Sequence, residues 1–194
     1  MARSTGVGAV ASHYSAYLAV AVPIVLCHNL LHEATHYLAA VAYGEKVLAL
    51  RFLTNGWGTS QVVYATPVEE RTGAYWLVIA WAPSAVTTMA GYLVYWYRQR
   101  SCQRQTTRRW LLYAGFFFLL LDPLYLSVLS LLVGGDVRAV DAVGWPAWPV
   151  QAIASLVLIV NWRLFRRWQR QEAAPPVSRC ASSESWANDA HAKP

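Results

Sequence analysis

Two histidines and a glutamate lie in one short apolar stretch, "HNLLHEATHYLAA" at 28–40, and their types and spacing are suited to metal chemistry. Residues four apart lie on one face of a helix, so His32 and His36 can direct ring nitrogens at one metal ion. Glu33, displaced by about 100° around the helix, can reach a water molecule without being a ligand. In zinc peptidases with this pattern the histidines bind the ion and the glutamate is the general base. The stretch therefore predicts His32 and His36 as ligands of Zn²⁺ and Glu33 as the catalytic base.

His28 extends the row of histidines one turn towards the N-terminus. Because the pattern already supplies two histidines from this helix, we expect His28 to make a structural or orienting hydrogen bond rather than to bind the ion. The alternative is a non-catalytic membrane protein in which His28, His32 and His36 bind a metal or haem, or form a polar cluster without metal. Haem held by two histidines needs ligands from two facing helices, and no other apolar stretch contains a histidine, so the haem version requires a dimer.

The third ligand must come from elsewhere, since a catalytic zinc usually has three protein ligands and one open position. Asp122 is the only carboxylate in the other apolar stretches, and Pro123 disfavours helical geometry at the residue before it, which could turn this carboxylate towards the first span. Asp136, in the glycine-containing segment "VGGDVRAVD", is the alternative because a loop there could fold back to the site. We favour Asp122, because an aspartate in hydrocarbon has no other ready explanation, whereas a loop aspartate needs none.

The composition indicates that lipid is the solvent around these residues. The chain is 56% hydrophobic and 13% charged, whereas soluble domains are about 45–50% apolar and about 25% charged. Four apolar stretches meet the length of about 20 residues that a membrane-spanning helix needs. We therefore predict an all-α polytopic membrane protein whose membrane domain, 14–170, follows an N-terminal segment, 1–13, and precedes a disordered tail rich in Ala, Pro and Ser, 171–194. The predicted spans are 14–43, 72–97, 110–133 and 145–165.

The segment between the first two predicted spans, 47–66, is not typical of a helix. Short β-prone runs flank Asn55-Gly56 and Gly58, which is a hairpin signal, and Pro67 ends the second run. The hairpin is either a simple connector or an edge that pairs with an extended peptide.

The net charge of +6 is unevenly distributed, because arginines are concentrated in the loop after the second span and behind the fourth. The positive-inside rule then places both termini and the second loop in the cytoplasm and residues 44–71 and 134–144 outside. These arginines are interpreted as topology determinants and contacts to lipid headgroups of the bilayer, not as a nucleic-acid site. Cys27, Cys102 and Cys180 lack metal-type spacing and indicate no disulfide framework.

These residues together resemble the site-2 protease family of intramembrane zinc metalloproteases, especially its small prokaryotic members. The resemblance covers about residues 14–133. It rests on "HEATH" in the first span, the β-prone segment after it, "AWAPSAVTTMAGYL" in the second span and "LLLDPLYL" in the third. Ala82-Pro83 stands where the family has Gly-Pro, and Pro123 stands where it has a glycine after the aspartate.

The resemblance implies a zinc endopeptidase with His32, His36 and Asp122 as metal ligands and Glu33 as the catalytic base. It also implies that the substrate is a transmembrane or membrane-adjacent segment of another protein, and that the chain lies in the plasma membrane of a prokaryote. The topology expected from the arginines runs the histidine-bearing helix outward, opposite to the usual orientation in the family.

Overall fold

The computed structural model describes residues 7–54, 59–100, 105–133 and 135–173, and most of these residues are helical. The long helices are α1 (Val7–Ala42), α2 (Tyr75–Arg100), α3 (Gln105–Leu124) and α5 (Trp148–Ala173). A π-helical turn, Tyr125–Leu129, links α3 to the short helix α4 (Ser130–Val133). Two 3-10 helices, Val68–Glu70 and Gly135–Val143, lie in the connections before α2 and before α5.

Four segments of these helices are long and apolar enough to cross a membrane, which confirms the predicted all-α polytopic architecture. The fourth segment continues past the predicted end at residue 165, because the helix extends through several arginines whose long side chains can reach the headgroups. Residues 1–6 and 174–194 lie outside the described residues, so the predicted N-terminal segment and tail are described only in part. The four segments are Leu18–Ala42, Tyr75–Arg100, Thr107–Leu132 and Trp148–Gln171.

The predicted hairpin between α1 and α2 is also confirmed. Strands β1 (Val47–Thr54) and β2 (Thr59–Tyr64) pair antiparallel, with Leu50 opposite Val62 and irregularities in register after Val47 and after Arg51. The predicted turn residues, 55–58, lie outside the described residues. That the strand edge pairs with a peptide stays a prediction.

The hairpin is attached to the start of α2 by stacked side chains. The Tyr64 ring meets the Trp76 ring edge to face, with centroids 5.4 Å apart. The Arg71 guanidinium lies 4.9 Å from the Tyr64 ring centroid and 4.6 Å from that of Trp76, and it donates a hydrogen bond to the Thr66 carbonyl. These contacts fix the hairpin beside the end of α1 that carries His36.

Helix α3 packs against α1, α2 and α5 and holds the helices together. Its contact with α5 is a buried cluster containing Leu119, Leu120, Phe165 and Trp168. Gly115 permits this close approach, because a Cβ there would lie 2.2 Å from the Trp168 ring. A second cluster, Ala40, Trp76 and Ile79, joins α1 to α2.

Candidate metal centre

The three histidines of α1 lie on one face of the helix, as their spacing predicts. His28 and His36 are buried, and the ring centroids of His32 and His36 are 5.0 Å apart. The face is turned towards α2 and α3, because the partners of these rings belong to those helices. Helix α1 therefore presents imidazoles to the protein interior and not to lipid.

His36 is oriented by the backbone of α2. Its Nδ1 lies 2.8 Å from the carbonyl oxygen of Ile79. Because a carbonyl can only accept a hydrogen bond, Nδ1 is the protonated nitrogen and donates it. The lone pair of the neutral ring is then on Nε2, which is the nitrogen available to a metal.

His32 is oriented in the same way by a side chain of α3. Its Nδ1 donates to Asp122 Oδ2 at 3.2 Å. Histidines that bind metals usually donate their other ring N–H to a carboxylate or a backbone carbonyl, which fixes the tautomer. His32 and His36 have one acceptor of each kind, and both leave Nε2 free.

Both free nitrogens face Asp136. His32 Nε2 lies 3.6 Å from Asp136 Oδ2, and His36 Nε2 lies 3.5 Å from Asp136 Oδ1. Ligand atoms around a tetrahedral zinc with bonds of about 2.0–2.1 Å are about 3.3–3.4 Å apart, so these separations are close to those of a metal site. His32, His36 and Asp136 form a group that could hold a metal ion, with one ligand atom of each within 4.8 Å of the others.

The position of Asp136 is fixed by its neighbours in the 3-10 helix and by two aromatic side chains. Gly135 has a φ of +64°, in the left-handed region, and a Cβ there would lie 1.7 Å from the Tyr125 hydroxyl oxygen. The Trp81 indole donates a hydrogen bond of 3.2 Å to the backbone carbonyl of Asp136. Val137 and Val140, three residues apart, are buried beneath the same segment.

Asp122, which the sequence favours as the third ligand, lies at the other nitrogen of His32. Its Oδ2 also lies 3.5 Å from His28 Nε2 and accepts a hydrogen bond from the Thr87 hydroxyl of α2. The group that could hold a metal contains Asp136, the alternative, and not Asp122. This geometry favours an orienting role for Asp122, and its role as a ligand stays a prediction.

Pro123 does not end α3 next to Asp122. The helix continues through Leu124 and then widens into the π-helical turn, where the Ser127 hydroxyl donates to the carbonyl of Pro123 at 2.6 Å. Single π turns inside helices are frequent at functional sites. The turn begins with Tyr125, whose hydroxyl packs against Gly135.

Glu33 is 7% exposed and lies on α1 next to the His32 and His36 side chains, close enough to both for an electrostatic interaction. Its Oε2 has no hydrogen-bond partner among the residues that the structure describes. A buried carboxylate oxygen without a partner is costly unless a ligand, ion or water meets it. This is the position that the sequence predicts for a base beside the metal.

The ionisation states outside the spans are consistent with such a site. Burial acts to raise the pKa of Asp136, but the two imidazole side chains beside its carboxylate, those of His32 and His36, outweigh burial and lower the pKa to about 2, which keeps the carboxylate ionised. Burial, and after it the negative charge of Asp136, raise the pKa of the Tyr64 hydroxyl above its ordinary value. Tyr64 therefore contributes a neutral phenol near the site.

Sequence reasoning missed several groups that position the ligands. Nothing in the sequence marks the Ile79 carbonyl, because every residue has a backbone carbonyl. Thr87 and Trp81 lie in the apolar second span, and nothing in their spacing marks them. A polar side chain in a span is a weak signal that could have found Thr87.

Comparison of the chain with protein-family models, with curated proteins and with solved structures gave no match in any of the three.

Proposed function

We propose that this chain is a membrane-embedded zinc endopeptidase that hydrolyses peptide bonds in or next to transmembrane segments of other membrane proteins. One observation carries the proposal. The Nε2 atoms of His32 and His36 and the carboxylate of Asp136 face one point, and Glu33, whose Oε2 is buried without a hydrogen-bond partner, lies beside them.

The ligand types suit zinc, since imidazole and carboxylate are its usual partners in catalytic sites. A zinc ion held by His32, His36 and Asp136 would act as a Lewis acid and would lower the pKa of a bound water molecule. Glu33 takes the proton from the attacking water and delivers it to the leaving amine. No separate acid is needed, because one carboxylate performs both transfers.

Asp122 orients one of the proposed metal ligands, His32, without facing the metal position itself. It holds His32 in the tautomer that leaves Nε2 free, and it is itself fixed by Thr87 and His28. This set of roles differs from the one that the site-2 protease resemblance implies, in which Asp122 binds the metal. Membership in that family, and a location in a prokaryotic plasma membrane, are parts of the proposal.

The depth of the site agrees with cleavage near one membrane surface. His36 is six residues from the end of α1 at Ala42, which corresponds to about 9 Å along a helix. Water needs to cross only a short distance from the side that carries the hairpin. A substrate helix has to unwind locally there, since its carbonyls are otherwise held in intrahelical hydrogen bonds.

The test compares wild type with Glu33→Gln and His36→Ala in detergent, with Glu69→Gln as the control because Glu69 is an exposed carboxylate outside the site. Zinc is measured by mass spectrometry, and cleavage is measured on a library of synthetic transmembrane peptides in vesicles. We expect about one zinc per chain in wild type. Glu33→Gln should keep the metal and lose cleavage, His36→Ala should lose both, and Glu69→Gln should lose neither.

Two outcomes would contradict the proposal. Full cleavage by Glu33→Gln removes the assigned base. Zinc binding by wild type without cleavage of any peptide favours the alternative of a non-catalytic metal-binding protein. A Soret band in the purified protein would identify the haem version of that alternative.

A further inference from the structure

A cavity of about 390 Å³ lies between α2, α3 and α5, next to the candidate metal centre. Its walls are almost entirely apolar and include Ala85 and Met89 of α2, Pro123 of α3, and Ile153 of α5. Met89 and Ile153 lie within membrane spans and are 61% and 65% exposed. The cavity therefore opens sideways, on the surface of the apolar spans rather than at their ends.

The cavity is connected to the metal centre through a shared wall. Trp81 lines the cavity and donates its indole hydrogen bond to the carbonyl of Asp136. Pro123 lines it as well and directly follows Asp122. The cavity wall thus contacts Asp136 through Trp81, and Pro123 is next in the chain to Asp122, which orients His32.

Among the residues that line this cavity, Ser84 is the one with a buried side-chain polar atom that has no hydrogen-bond partner in the described structure. It lines the cavity and is 8% exposed, and its hydroxyl has no hydrogen-bond partner among the described residues. Serine and threonine hydroxyls in membrane helices usually bond the carbonyl four residues back. The Ser84 hydroxyl does not make this bond, whereas five other hydroxyls in the described residues do. The five belong to Thr35, Thr87, Ser127, Ser130 and Ser155.

We propose that the cavity binds apolar side chains of the transmembrane segment that is cleaved, and that the Ser84 hydroxyl donates a hydrogen bond to a backbone carbonyl of that segment. The inference rests on the proposed function and specifies which substrates the site accepts. A segment unwound for cleavage has free carbonyls. A lipid acyl chain could fill the apolar volume but offers Ser84 no acceptor, which would leave the hydroxyl unpaired.

The experiment uses full-length protein carrying Glu33→Gln, so that binding is measured without cleavage. It is reconstituted in phosphatidylcholine vesicles with a polyleucine transmembrane peptide that has a photoactivatable leucine at its centre. We compare Ala85→Phe, which fills the cavity mouth, with Val86→Phe, an exposed neighbour on α2 that does not line the cavity. A third variant, Ser84→Ala, removes the donor with little change in volume.

We expect crosslinks on cavity residues, a reduction of at least about tenfold in Ala85→Phe, and no reduction in Val86→Phe. Ser84→Ala should lower the yield about two- to tenfold, the change expected for one hydrogen bond. Equal yields in Ala85→Phe and Val86→Phe overturn the proposal. So does labelling of the cavity by a photoactivatable acyl chain of phosphatidylcholine that excess peptide does not displace.

Zinc content and peptide cleavage, measured on the same variants with Glu33 restored, separate this inference from the proposed function. Crosslinks in the cavity of a chain that neither binds zinc nor cleaves contradict the proposed function alone. If wild type and Ala85→Phe both bind zinc and cleave peptides with the same preference for peptide side chains, the cavity proposal alone is contradicted.

Discussion

Asp122 and Asp136 contact different nitrogens of the His32 ring, and this difference gives them different tasks. Asp122 accepts the Nδ1 proton, whereas Asp136 faces the Nε2 lone pair together with His36. A carboxylate at Nδ1 increases the basicity of the ring and fixes its direction. A carboxylate at Nε2 of both rings is in the position of a ligand.

Replacing each aspartate by asparagine separates these tasks, because both changes remove one negative charge and keep the shape. Asp122→Asn should weaken zinc binding by about 10- to 100-fold, as expected for a residue that orients a ligand. Asp136→Asn should weaken it further, since it removes a charged ligand. Competition titration with a chelator measures both affinities, and the opposite order would assign Asp122 as the third ligand.

The common face of the histidines and the place of Glu33 next to it on α1 could be expected from the sequence, since both follow from helical spacing. The sequence does not reveal which carboxylate meets which nitrogen. The preference for Asp122 assumed that a charge in hydrocarbon must bind the metal. The structure supplies another explanation, because Asp122 is paired with His28, His32 and Thr87.

The 3-10 helix Gly135–Val143 positions Asp136 at the site. The role of its first residue, Gly135, can be tested by comparison with Gly144. Gly135 and Gly144 both have positive φ, but a Cβ would collide with Tyr125 only at Gly135 and would meet nothing within 4 Å at Gly144. Gly144→Ala should lower the free energy of unfolding by about 1–2 kcal/mol, the cost of a left-handed residue. Gly135→Ala should cost more and also weaken zinc binding.

Unfolding titrations in mixed micelles, together with zinc affinity, measure these effects. Adding Tyr125→Phe to Gly135→Ala removes the atom in closest contact and should restore part of the zinc affinity. Equal effects of the two alanine variants would show that Tyr125 does not position Asp136.

Elements with local signals were predictable, and elements defined by tertiary contacts were not. The hairpin follows from β-prone runs around a turn sequence, and the four spans follow from apolar length. The 3-10 helix depends on Trp81 and on burial of Val137 and Val140, which are contacts with other parts of the chain. The π-helical turn after Pro123 similarly has no local pattern that distinguishes it from a kink.

The orientation of the whole molecule decides on which side of the membrane the metal centre opens. Two proteins that each carry a single cysteine test the predicted topology. In one, the cysteine is introduced by Glu69→Cys at an exposed position in the first loop; in the other, it is the native Cys102 of the arginine-rich loop. A membrane-impermeant maleimide should label Glu69→Cys in intact cells, and Cys102 only after permeabilisation, because arginine-rich loops stay in the cytoplasm. The reverse pattern would place the metal centre on the cytoplasmic side.

Of the three residues that could hold the metal, His32 and His36 are close together in the chain, whereas Asp136 comes much later. During synthesis at about 5–20 residues per second, Asp136 is added about 5–20 seconds after His36. Through that interval the first helix is present without the carboxylate that completes the group. A nascent chain therefore lacks one residue of the candidate centre while its first three helices are made, and the group is complete only when most of the membrane domain has been synthesised.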